Sequence, residues 1–228
     1  EMINRGRAVL VAKGANDFLL QDTETGYFHH SGENTEFFMT LPKEIRLAIK
    51  KIILHQEEML APVQKLLNLE NALICYQAVY TPREKLPISG LYRGDGQPTE
   101  QGLVIRPLTM EHADVVQEEY NHAEYQKVKD NSYIKDRIKK GCMYGAFLND
   151  ELAGFIGIHH DDSIGMLRVF EQYRGRHIGR AMQTFIINKM LEQGNIPYGQ
   201  FLIGDEGSEK LQKSLGMYMS KTPVIWVD

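Results

Sequence analysis

Leu167-Arg168-Val169-Phe170-Glu171-Gln172-Tyr173-Arg174-Gly175-Arg176-His177-Ile178-Gly179-Arg180-Ala181 reads as a strand, a tight basic turn and the start of a helix. Downstream, Ile178, Ala181, Met182, Phe185, Ile186 and Met190 recur at helical spacing, with Arg180, Gln183, Asn188, Lys189 and Glu192 on the opposite side. Gly194 stands where a helix C-cap belongs. A helix that opens directly after a strand offers unpaired backbone N–H groups and the positive end of its dipole. With Arg174, Arg176 and Arg180 around it, this terminus suits a phosphate-bearing ligand. No Gly-Lys-Ser/Thr follows the turn, which sets aside a nucleotide P-loop, and the dinucleotide fingerprint G-x-G-x-x-G is missing too.

The stretch resembles motif A of the GNAT superfamily, the Gcn5-related N-acyltransferases. Arg174, Gly175, Arg176, Ile178, Gly179 and Ala181 fit that pattern, and His177 departs from it by occupying its first glycine. The resemblance implies that the turn wraps the pyrophosphate of an acyl-coenzyme A, and that the backbone of Leu167 and Val169 bonds its pantetheine arm. A second motif spans 205–217, where Ser208, Leu211, Leu215 and Gly216 fit. There Asp205 replaces an Asn, Gln212 replaces the Tyr that often protonates the departing thiolate, and Met217 replaces a Phe. With Gly154-Phe155-Ile156-Gly157-Ile158-His159, the pattern looks closest to the glycine-N-acyltransferase-like branch. The implied ligand set is Leu167, Val169, Arg174, Gly175, Arg176, His177, Ile178, Gly179, Arg180, Asp205 and Ser208, with acetyl-CoA as the acyl-CoA co-substrate.

Working outward, the chain divides into three. Residues 1–82 are expected to form a smaller α+β domain: short strands at 8–11, 18–21, 26–30 and 36–39, a helix after Thr40-Leu41-Pro42 carrying Ile45, Ile49, Ile52 and Ile53, and a strand over 73–80. Residues 83–101, rich in Pro, Gly and charge, are expected to be a linker. Residues 102–228 follow the element order of the GNAT fold, which implies an α/β (α+β) domain with a mixed, mostly antiparallel sheet flanked by helices. Its helices are expected at 111–124, 132–140, 178–192 and 208–215, and its strands at 103–108, 143–148, 151–160, 163–170, 200–203 and 224–227.

The chain has 228 residues, 43% hydrophobic content and a formal net charge of −4, enough for a packed core and too acidic for general nucleic-acid or anionic-membrane binding. No apolar run approaches the ~18 residues of a membrane helix. Cys75 and Cys142 show no CxxC spacing, so neither a disulfide framework nor a cysteine zinc site is expected, and a cytoplasmic location suits them. No metal is expected at His29-His30 or His159-His160, because neighbours on a strand point to opposite faces.

Acyl transfer to an amine needs a bound thioester, a neutral nucleophile and a donor for the oxyanion. Many GNAT enzymes place a glutamate four residues before the position of Leu167, and here that residue is Ser163. If Asp161-Asp162 is a two-residue turn, His160 pairs with Ser163 on one face, making His160 the base and Ser163 its orienting partner. The expected activity is transfer of an acetyl or other short acyl group to a small-molecule or amino-acid-like amine, with residues 121–131 near the acceptor. The alternative is a catalytically weak CoA-binding regulatory module. The N-terminal domain is expected to cover the acceptor site or to form a homodimer contact.

Overall fold

The computed structural model describes residues 2–88, 90, 102–121 and 132–228. Residues 91–101 of the expected linker and 122–131 of the expected acceptor loop lie outside the described residues, as does the end of the helix expected to reach Glu124. In chain order the strands and helices begin Ala8–Lys13 (β1), Phe18–Asp22 (β2), Phe28–Ser31 (β3), Phe37–Thr40 (α1), Lys43–Ala48 (α2), Ile52–Leu54 (β4), Leu60–Leu67 (α3) and Ala72–Val79 (β5). There follow Leu103–Pro107 (β6), Ala113–Asn121 (α4), Ser132–Lys139 (α5), Met143–Leu148 (β7), Glu151–Ile158 (β8), Ile164–Val169 (β9) and Ile178–Glu192 (α6). Tyr198–Leu202 (β10), Glu206–Ser214 (α7), Tyr218–Met219 (β11) and Val224–Val227 (β12) complete the set. The fold is mixed α/β, with mostly antiparallel strands flanked by helices. No helix among the described residues is long and apolar enough to cross a membrane.

Two compact units result. The first comprises the residues up to Val79 together with Gln200–Lys213 and Tyr218–Asp228. Its strands run in the order β1-β2-β3-β4-β12-β5, with β11 also on β5. β3 and β4 are parallel, while β12 lies antiparallel to β4 on one side and to β5 on the other. The grouping differs from the linear division at 82 and 102, because residues 224–227 supply the strand between β4 and β5. Ile52, Ile53 and Leu54 were expected in a helix and form β4 instead. All three are at most 1% exposed, so each contributes about 1.5–3 kcal/mol, and a strand covered on both faces shows no alternation in sequence. Phe37-Phe38, expected in a strand, lie in α1 and pack with Leu19, Phe28, Met59 and Ile225 in the core of this unit.

The second unit comprises Tyr80–Gly199 and Ser214–Met217. Its antiparallel strands run β9-β8-β7-β6, and Gly199 of β10 pairs parallel with Ile164 of β9. One face carries α4 and α5, joined to the sheet through Val116, Ile134, Met143, Phe147 and Phe155. The other carries α6, whose Phe185 meets the Tyr144 ring edge-on at 5.1 Å and whose Met182 lies against Gly154. Neighbouring strand residues thus separate the two helical layers, as a pleat requires.

The polar side expected for α6 is only partly solvated. Gln183 and Asn188 are buried, at 1% and 4% exposure. Asn188 Oδ1 accepts from the Leu86 N–H at 2.7 Å, and its Nδ2 donates to the Leu86 carbonyl at 3.0 Å. The first residues of the expected linker are therefore docked on α6.

Candidate functional site

In the second unit, the turn between β9 and α6 is built on two left-handed residues, Gly175 at φ 77° and His177 at φ 59°. Glycine adopts this region freely, whereas histidine pays about 1–2 kcal/mol. His177 thus keeps the left-handed conformation of the motif glycine it replaces, despite its Cβ. The imidazole is exposed and makes no capping bond, and no acidic side chain lies in the first turn of α6. The first N–H groups of α6 thus keep their donor capacity, which is what an anion site needs.

The arginines play unequal parts. Arg174 is exposed, its Nε 3.5 Å from the Val169 carbonyl oxygen. Arg176 lies over the Tyr173 ring at 5.7 Å. Arg180 is drawn to one side, where its Nη1 donates to the Ser214 carbonyl at 3.0 Å and to its Oγ at 2.6 Å. Behind them, a Cβ on Gly179 would meet only Val169 Cγ2, at 3.5 Å, so the protein itself tolerates alanine there. Leu167, Val169, Arg174, Gly175, Arg176, His177, Ile178 and Gly179 are therefore gathered along one strand end, turn and helix start.

The strand feeding this turn is irregular. Phe155 pairs with Arg168 and Gly157 with Gly165, so Ile156 opposes two residues of β9, Met166 and Leu167. Met166 carries φ 54°. Such a bulge turns ladder groups of the strand away from their partner.

Asp205 and Ser208, in the first unit, serve one another: the Ser208 N–H donates to Asp205 Oδ1 at 2.9 Å and its hydroxyl to Oδ2 at 2.7 Å. They cap α7, whose first turn also carries Glu206 and Glu209. Gln212 is buried at 7% exposure in the same unit.

The hairpin after β8 differs from the expected two-residue turn. The His159 N–H donates to the Ser163 carbonyl at 2.8 Å and the Asp162 N–H to the His159 carbonyl at 3.1 Å, so three residues form the loop. Asp162 takes the left-handed position, at φ 69°. Ser163 consequently faces His159 and not His160. The Ser163 hydroxyl donates to Asp161 Oδ1 at 2.7 Å, and Tyr198 donates to the Asp161 carbonyl.

The two histidines then diverge. His160 Nε2 bonds Asp136 Oδ2 of α5 at 2.8 Å, and this bond, helped by Arg137 and Lys140, holds the Asp136 carboxyl down to about 2. His159 turns onto the sheet face beneath α5, its Nδ1 2.5 Å from the Tyr133 hydroxyl. Burial pushes its imidazole below the ordinary histidine value. A Cβ on Gly165 would overlap His159 Nε2, so the ring occupies the space that glycine leaves. Sequence reading missed Tyr133 as the partner of His159, because a one-residue change in loop length exchanges which histidine faces the sheet. Asp162, which tolerates the left-handed region, was the available signal. Among the described residues, no group of His, Cys, Asp and Glu could hold a metal ion.

Residues 107–217 match the acetyltransferase (GNAT) family. Among solved structures, a Drosophila protein is similar with a TM-score of 0.67 at 13% identity, over 92% of this chain and 73% of that one. An acetyltransferase from the GNAT family of Colwellia psychrerythraea gives 0.56 at 12% identity, over 96% and 83%. A GCN5-related N-acetyltransferase from Kribbella flavida gives 0.56 at 12% identity, over 99% and 90%. No curated protein matches the sequence. The element order, the strand-turn-helix cradle and the family match agree: residues 107–217 match the GNAT acetyltransferase family, and the fold is that of GNAT acetyltransferases.

Proposed function

We propose that this protein transfers an acetyl or other short acyl group from acyl-CoA to the amine of a small-molecule or amino-acid-like acceptor. The observation that carries the reading is the start of α6, with no capping side chain, no acidic residue in its first turn, and Arg174 and Arg176 beside it. Free N–H donors and nearby guanidinium groups fit a pyrophosphate. Gly175, His177, Ile178 and Gly179 would hold it through backbone, and Leu167 and Val169 would line the pantetheine arm. When bound, acyl-CoA supplies the thioester that the amine attacks. Arg180 assists from the edge of the cradle. Asp205 and Ser208, assigned to the ligand by family resemblance, spend their bonds on each other, so the proposal rests on the second unit. Two free thiols, Cys75 and Cys142, suit a cytoplasmic setting.

Acetyl-CoA titrated into the protein should raise its melting temperature, since a ligand bound to the native state stabilises it. Release of free thiol in the presence of glycine, lysine, tyramine or spermidine should follow. Binding without turnover across that panel would favour the regulatory-module reading, and no binding would remove both.

A further inference from the structure

Resting on the acyltransferase reading, we propose that His159, not His160, is the proton acceptor of the transfer, with Tyr133 fixing its tautomer. Phe155 and Gly157 of β8, and His159 just beyond its end, lie on the side that α4 and α5 cover, and Gly165 and Arg168 are the β9 partners of Gly157 and Phe155. His159 leans across to Gly165, immediately before the bulge at Met166 and Leu167. Leu167 belongs to the strand assigned to the acyl-CoA arm, so the ring stands beside the place where the thioester is expected. His160 faces away from that position, its Nε2 engaged by Asp136 at 2.8 Å.

The hydrogen bonds suit a base. When His159 Nδ1–H donates to the Tyr133 oxygen, Nε2 keeps its lone pair, and that nitrogen is the one lying over Gly165. Among the described residues, Nε2 has no hydrogen-bond partner. The charged and titratable groups around the ring are Tyr133, Asp136 and Arg137 on α5 and His160 and Asp161 in the turn. Burial lowers the basicity of the ring, Asp161 opposes this, and Arg137 and His160 add to it. The ring is therefore neutral near pH 7 and able to accept a proton.

The lone pair of the free amine attacks the thioester carbonyl carbon, and the C=O pair moves onto oxygen. His159 Nε2 takes a proton from the positively charged nitrogen of this adduct. The oxygen pair returns, the C–S bond breaks, and the thiolate leaves with the proton that the imidazolium releases. Amide and free CoA thiol are the products, and neutral His159 is restored.

The test is the pH dependence of kcat/KM for the full chain, with acetyl-CoA and the four amines named above. Unaltered protein should show an acid limb below the ordinary histidine value of 6.5. His159→Asn should lower kcat by about two to four orders of magnitude and abolish that limb, while keeping the thermal shift with acetyl-CoA. Tyr133→Phe removes one oxygen and should move the limb to lower pH, because the imidazolium loses an acceptor. It also decides the matter if the asparagine variant fails to fold. A limb that survives in His159→Asn, or stays in place in Tyr133→Phe, overturns the proposal, as does one lost in His160→Asn instead. In either case turnover by the unaltered protein keeps the acyltransferase reading. No turnover by the unaltered protein overturns both.

Discussion

Asn188 grips Leu86 by both ends of one amide, accepting from its N–H at 2.7 Å and donating to its carbonyl at 3.0 Å. A buried asparagine placed this way converts a segment of apparent linker into part of the α6 surface. Nearby, Lys85 and Glu192 pair at 2.6 Å, but both side chains are 54% exposed, so the amide dominates.

Replacing Asn188 with alanine should therefore cost about 1–3 kcal/mol, because two backbone groups lose their partners at once. A protein of this size would melt several degrees lower. Trypsin should also cut sooner after Arg83 or Lys85. Unchanged melting and cleavage would mean that the strap is held by other contacts.

His177 should be a site of stored strain. Its φ of 59° costs a Cβ-bearing residue what it does not cost glycine. His177→Gly is expected to raise stability by about 0.5–1 kcal/mol and to leave acetyl-CoA affinity within about tenfold, or roughly 1.4 kcal/mol. Differential scanning calorimetry and titration calorimetry read the two effects separately. A large gain in affinity would show that the native turn hinders the ligand.

A fragment beginning near Pro98 tests the linear division of the chain. It retains β12 but loses both of the strands that flank it, β4 and β5. Such a fragment should aggregate or lack a cooperative melt. Trp226, the single tryptophan, donates to Gln200 at 2.5 Å in the first unit, so its fluorescence reports on that unit directly. A soluble fragment with a sharp transition would restore residues 102–228 as a self-sufficient domain.

The cradle was legible in sequence because strand, turn and helix are contiguous, and each signal (arginines, glycines, helical spacing) is local. Gly194, at φ 74°, ends α6 where its position foretold. What could not be read depends on remote partners. Ile52 and Ile53 continue the helical spacing of Ile45 and Ile49 yet suit a buried strand equally, and only the pairing of β4 with β3 and β12 decides between the two. Gln183 and Asn188 look like solvent-facing residues until their surroundings are known, and Leu86 is 102 positions from Asn188. The exchange of His160 for His159 came from one residue of loop length.

The position of β12 also bears on the order in which the molecule can assemble. The second unit finds nearly all its strand partners within one continuous stretch, whereas β4 and β5 must wait for a strand that lies beyond that stretch in sequence. Contacts so distant form slowly, since the intervening chain must first be closed into a loop. During synthesis, the apolar edges of β4 and β5 stand open while the second unit is being made. That interval is when the chain is most exposed to pairing with the wrong strand, and when a chaperone would have most to shield.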